Sequence, residues 1–206
     1  MIFRQLFDAD SSTYSYLLGC SDTGDAVVID PVYEQHARDT ALIRELGLKV
    51  RYVLDTHVHA DHVTGAWLLR SALDAEIVLS KRYGVENVDI PVDHGDVLAF
   101  GNRSLAVRAT PGHTNGCLTY VTASQDMAFT GDCLMIRGAG RTDFQAGDEH
   151  TMWQSIREQI FTLPEDCLIY PGHDYFCLLY TSPSPRDLRQ DLVCRLLLEK
   201  GGGGGG

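Results

Sequence analysis

The chain has 206 residues, 44% of them hydrophobic and 22% charged, and 28 acidic against 17 basic side chains give a formal net charge of -11. The length allows one full-sized domain or two small ones, and the composition excludes a disordered or collagen-like chain. So acidic a surface repels phosphate backbones and anionic lipid, and neither nucleic acid nor a membrane is expected as a partner.

In chain order, Ile2–Phe7, Tyr14–Leu18 and Ala26–Ile29 read as the strands of a meander, the last closing on Asp30-Pro31. From Gln35 to Leu46 the apolar residues Ala37, Ala41, Leu42, Ile43 and Leu46 recur at helical spacing, with Gly47 at the stop position. A strand at Val50–Leu54 runs into Thr56-His57-Val58-His59-Ala60-Asp61-His62. A helix is expected from Gly65 to Leu73, then strands at Glu76–Leu79 and Val97–Phe100. Three more apolar runs, Ser104–Ala109, Cys117–Thr122 and Asp126–Phe129, each end against a motif of Gly, His or Asp. An amphipathic helix over Glu149–Phe161 and a short strand at Cys167–Tyr170 follow. With strands first, then strands and helices alternating, and no repeat or long linker, the pattern predicts a single layered α/β domain.

The six cysteines form no C-x-x-C pair, and the N-terminus carries no signal-peptide pattern. No apolar run approaches the roughly 20 residues needed to cross a bilayer. A cytoplasmic protein is the expectation.

His57-x-His59-x-Asp61-His62 is the densest group of metal-ligand residue types in the chain. Two histidines two apart on an extended segment point the same way, and a loop after the strand can add Asp61 and His62 to the same pocket. Imidazole and carboxylate suit zinc, iron or manganese. Three further strand ends repeat the pattern: Thr110-Pro-Gly-His113, Thr130-Gly-Asp132 and Tyr170-Pro-Gly-His173-Asp174-Tyr175. Each one alone is an ordinary turn; together they are hard to explain as turns. His57, His59, Asp61, His62, His113, Asp132 and His173 make a complete set for two metals. By the residues alone the chain reads as a binuclear zinc hydrolase, whose bridging hydroxide attacks an ester or amide carbonyl.

T-H-x-H-x-D-H, P-G-H-T, T-G-D and G-H-D, in this order and at these separations, resemble the metallo-β-lactamase superfamily, which implies an αββα sandwich with metal at one edge. The likeness runs from about residue 2 to Tyr175. Ile136-Arg-Gly-Ala-Gly-Arg-Thr-Asp-Phe144 and the run ending in Ile169-Tyr-Pro-Gly-His-Asp-Tyr175 resemble the persulfide dioxygenase (sulfur dioxygenase) branch. That resemblance implies one non-haem Fe(II) per chain held by His57, His113 and Asp132, and the oxidation of glutathione persulfide by O2 to sulfite and glutathione in hydrogen sulfide metabolism. His59, Asp61, His62 and His173 then orient ligands rather than hold a second metal. The alternative is a glyoxalase II-like hydrolase of glutathione thioesters carrying two zinc ions. The resemblance also makes a homodimer plausible.

Glutathione carries two carboxylates, so Arg141, and with it Arg137, are the candidate substrate anchors; the other reading of Arg141 is a buried salt bridge with Asp143 or Asp174. Tyr175 is the candidate catalytic hydroxyl, with packing at the pocket rim as its alternative. Cys117 and Cys133 read as small core residues rather than nucleophiles. The likeness stops after Tyr175. The expected division is therefore a catalytic domain over 1–175 and a divergent, non-native or disordered tail over 176–206, ending in six glycines.

Overall fold

The computed structural model describes residues 1–174. Eleven strands among them form two sheets. The first is β1 (Ile2–Asp8), β2 (Thr13–Gly19), β3 (Asp25–Ile29), β4 (Lys49–Leu54), β5 (Glu76–Ser80) and β6 (Ile90–Val92), side by side in chain order. The β1–β2–β3 pairs are antiparallel, whereas β3 through β6 run parallel. The second sheet is ordered β11 (Leu168–Pro171), β10 (Met127–Gly131), β9 (Leu118–Thr122), β8 (Arg103–Ala109) and β7 (Val97–Phe100), antiparallel except for the β10–β11 pair.

Strand residues alternate between faces, and here both faces are buried, so neighbouring residues join different cores. Leu18, Val27, Leu54, Tyr120 and Phe129 face the space between the sheets. Their neighbours Leu17, Val28 and Val53 pack under α1 (His36–Glu45) and α2 (Ala66–Leu73). Val121 and Ala128 pack under α3 (Glu149–Ser155) with Met152 and Ile156. Two sheets face to face with helices on both outer sides make the expected αββα sandwich.

The sequence reading differs from the structure in three places. β6 contains Pro91 and is three residues long, so it carries no strand signal; it survives because it lies at the edge of its sheet, where a missing ladder donor is tolerated. The Glu149–Phe161 helix is α-helical only to Ser155 and continues as a π turn over Ile156–Ile160. His57 and His59 are not on a strand: β4 stops at Leu54 and both lie in the irregular segment after it. No described helix is long and apolar enough to cross a membrane.

Candidate metal centre

The polar motifs follow the C-terminal ends of five strands. Asp30 comes after β3, Asp55 to His62 after β4, His113 after β8, Asp132 after β10 and His173 after β11. Asp30, His57, Asp132 and His173 are buried.

Donor atoms of His57, His113 and Asp132 lie within 4.8 Å of one another, and those of His59, Asp61 and His173 form a second such group. Asp132 stands between them. Its Oδ2 is 3.5 Å from His113 Nε2 and 4.0 Å from His57 Nε2, and its Oδ1 is 3.5 Å from His173 Nε2. Although no strand alternation places them, the His57 and His59 rings still meet, with centroids 4.1 Å apart.

Contacts on the outer side of each imidazole decide which nitrogen carries hydrogen. His113 Nδ1 donates to the Arg141 carbonyl at 2.7 Å, leaving a lone pair on Nε2. Thr56 donates its hydroxyl to Asp30 Oδ2 at 2.9 Å, so it accepts from His57 Nδ1 at 3.0 Å, and His57 Nε2 is likewise bare. His59 gives Nε2–H to Asp30 Oδ1 at 3.2 Å, which leaves Nδ1 as the atom free to face a metal. His62 Nδ1 donates to Asp61 Oδ2 at 2.8 Å, and His173 Nδ1 to the Ser12 carbonyl at 3.2 Å. Fixing one nitrogen this way turns the other into a ligand of defined direction.

Three buried atoms of this group, His59 Nδ1, His62 Nε2 and Asp132 Oδ1, have no hydrogen-bond partner among the described residues. A buried polar atom left unpaired costs about 1–3 kcal/mol, so three in one cluster mark a site that a cation completes. The electrostatics agree. Burial, reinforced by the other histidines, pushes the His57 imidazole well below its ordinary value and keeps it neutral. His59 is the exception: burial works the same way on it, but Asp30, Asp55 and Asp61 overcome it and raise that group to about 9, so a cation bound at Nδ1 would have to displace a proton. Burial also lifts the Asp132 carboxyl, despite the facing histidines, and lifts Asp55 to about 6. These side chains fit a bound metal: buried, with bare nitrogens and carboxylate oxygens converging.

Backbone geometry holds two of the carboxylates. Asp30 has a left-handed φ of 49°, unusual outside glycine, and receives the Thr56 N–H at 2.6 Å on Oδ1. Gly131, at φ 51°, lets the chain turn out of β10 so that Asp132 enters the cluster; a Cβ there would lie 2.4 Å from Thr56 Oγ1.

The remaining candidates divide. Arg141 makes an ion pair with Asp143, Nε to Oδ1 at 2.7 Å and Nη2 to Oδ2 at 3.0 Å, yet both side chains are largely exposed rather than forming the buried bridge considered above. Asp174 instead accepts from the Tyr14 hydroxyl at 3.4 Å. Arg137 lies in the same loop as Arg141, with φ at 59°. Cys117 and Cys133 are buried, and burial raises the Cys117 thiol to about 11, as befits core residues rather than nucleophiles. Tyr175 and the tail lie outside the described residues. Sequence reasoning missed Asp30, Thr56 and Thr13 as parts of the site. The only available signal was the Asp-Pro at the end of β3, a turn mark that says nothing of the buried partners.

The Metallo-beta-lactamase superfamily model matches residues 9–173. The chain is 52% identical over 176 residues to "Persulfide dioxygenase ETHE1, mitochondrial" of Mus musculus, covering 85% of this chain and 69% of the relative. It is 37% identical over 181 residues to "Hydroxyacylglutathione hydrolase" of Polaromonas sp., covering 85% and 67%. Among solved structures, the crystal structure of ETHE1 from Myxococcus xanthus superimposes with a TM-score of 0.82 at 48% identity, over 85% of this chain and 76% of that one.

Proposed function

Because the chain belongs to the metallo-β-lactamase superfamily, in its persulfide dioxygenase branch, we propose that it oxidises glutathione persulfide with O2 at one Fe(II) held by His57, His113 and Asp132. The observation that carries this reading is the 52% identity to a persulfide dioxygenase, against 37% to a glutathione thioester hydrolase over a comparable span. Glutathione persulfide, O2 and water become glutathione, sulfite and protons. His57, His113 and Asp132 would hold the iron, and bound Fe(II) would supply the coordination sites and redox chemistry that bring persulfide and O2 together.

The chain's own residues supply orientation and exclusion. The Arg141 carbonyl and the Asp30–Thr56 pair hold His113 and His57 so that only their Nε2 atoms face the metal position. His173 meets Asp132 from the other side, and His59 and Asp61 act on its charge, while His62 is tied to Asp61. The Arg141 guanidinium, beside the site and exposed, takes a substrate carboxylate in place of Asp143. A cytoplasmic location and a homodimer remain part of this proposal, and Tyr175 remains its candidate catalytic residue.

A second reading has one observation in its favour. The His59, Asp61 and His173 donors lie within 4.8 Å of one another, beside the unpaired His62 Nε2, as a second metal would need. Metal analysis after anaerobic purification separates the two. About one iron per chain, with oxygen uptake and sulfite formation on glutathione persulfide, supports the dioxygenase. Two zinc ions with hydrolysis of S-lactoylglutathione and no oxygen uptake overturn it.

A further inference from the structure

We infer that Thr13 is a positioning residue for the metal centre: its hydroxyl, anchored through Ser11 to Asp8, helps to set the places of His62 and His173, and through His173 that of Asp132. Thr13 opens β2 on the first sheet and is fully buried. A buried hydroxyl needs partners, and all of this one's belong to two groups.

On the outer side, Ser11 donates both its N–H and its hydroxyl to Asp8 Oδ2, at 2.9 and 2.7 Å, and Gln35 Nε2 holds Asp8 Oδ1 at 2.7 Å. With its own hydrogen committed to Asp8, the Ser11 oxygen accepts from Thr13 at 2.7 Å, the shortest contact Thr13 Oγ1 makes. On the inner side, the Thr13 lone pairs face His62 Nδ1 at 3.3 Å and His173 Nδ1 at 3.5 Å, both of which carry hydrogen because each also meets an acceptor. Asp61 Oδ2 also accepts from the Thr13 hydroxyl at 3.3 Å, so the one Thr13 hydrogen is shared between Ser11 and Asp61. One hydroxyl thus lies against His62, His173 and Asp61, three side chains of the candidate site.

The backbone repeats the arrangement. Thr13 and His173 form an isolated antiparallel bridge, and Tyr14 N–H reaches the Gly172 carbonyl at 2.8 Å. Ser12 holds a left-handed φ of 57°, unusual for serine, and its carbonyl receives His173 Nδ1–H. Strain of this kind persists where surrounding contacts over-determine it. Here it turns one carbonyl and the next hydroxyl toward the same ring. His173 Nε2 then stands 3.5 Å from both Asp132 Oδ1 and Asp61 Oδ2. Without the Thr13 hydroxyl the two rings keep Asp61 and the Ser12 carbonyl but lose the partner they share, and His173 is less firmly held beside Asp132.

The inference leans on the proposed function only for its activity readout. The test titrates the metal-free full chain, as wild type and as Thr13→Val, Thr13→Ser and Ser11→Ala, with Co(II) against a competing chelator, alongside thermal melting. Thr13→Val, which keeps the shape and loses the hydroxyl, is expected to weaken metal binding about tenfold or more, the scale for groups that orient a ligand. Thr13→Ser should restore it to within about threefold, while the melting temperature follows buried volume instead. Wild-type affinity in Thr13→Val, or no recovery in Thr13→Ser, overturns the inference. If Thr13→Val does not fold, Ser11→Ala decides, since it removes only the anchor: measurably weaker binding supports the role and unchanged binding refutes it. A wild type that binds metal but consumes no oxygen with glutathione persulfide defeats the dioxygenase reading and leaves the titration to decide Thr13.

Discussion

Asp132 and Arg141 are nine positions apart and touch the same histidine's surroundings, but the segments that carry them are built on opposite principles. Asp132 leaves a central strand, is buried, and sits among imidazoles whose other nitrogens are tied to Asp30 through Thr56, to the Arg141 carbonyl and to Ser12. The loop beyond it carries left-handed backbone at Arg137, Gln145 and Ala146 and spends its charged side chains on an exposed pair, Arg141 with Asp143, over the face of Phe144. The Arg141 and Gly140 backbones reach inward, the first to His113 Nδ1 and the second to the Asp132 carbonyl at 2.7 Å. A metal's ligands must be fixed before the metal arrives, which takes buried partners with no alternative, whereas a charged substrate needs a group that can exchange one carboxylate for another in water. The difference predicts steep effects in the first region and shallow ones in the second.

The steepest effect is expected at Asp132→Ala. It removes the only anionic member of the His57–His113–Asp132 group, and metal content and oxygen uptake should fall by more than about a hundredfold, beyond what loss of an orienting neighbour does. Full iron stoichiometry in this variant would remove Asp132 from the ligand set. Next is Thr56→Val, which leaves Asp30 Oδ2 without its hydroxyl donor and His57 Nδ1 without its acceptor. Metal affinity should drop about 10–100-fold, and stability by about 1–3 kcal/mol for the buried group left unpaired. Chelator competition and denaturant unfolding measure the two separately. Unchanged metal affinity with reduced stability would make Thr56 a packing residue alone.

The same contrast explains what could be read from the chain. The candidate cluster was legible because residue type and position at strand ends announce it: His57, His113 and Asp132 each follow an apolar run, and the structure brings their donor atoms together. The layers were legible because the apolar runs of β2, β4, β9 and β10 feed both faces of a sheet. Asp30, Thr56 and Thr13 were not, because a carboxylate in a turn, or a threonine in a strand or just beyond one, looks the same whether it points to water or to a buried imidazole. What distinguishes them is long-range contact, 26 positions between Asp30 and Thr56 and 160 between Thr13 and His173. Pro91 hid β6 by the rule that normally protects against false strands, and only its edge position reconciles the two.

In the exposed loop the effects should be small and fall on KM. Arg141→Ala removes the guanidinium but keeps the carbonyl that holds His113, so metal content should be unchanged and KM for glutathione persulfide should rise about two- to fivefold, the scale of an exposed ion pair, with kcat retained. An equal fall in kcat would instead place the guanidinium at the reacting atoms. Asp143→Asn is the smallest change and the sharpest for the contrast. Asp143 occupies both arms of the Arg141 fork that a substrate carboxylate would need, so neutralising it should lower KM by no more than about twofold, an effect that disappears at high salt because both groups are screened by solvent. Should KM rise instead, Asp143 would be holding the guanidinium in its binding position, and the loop would share the fixed character of the metal centre beneath it.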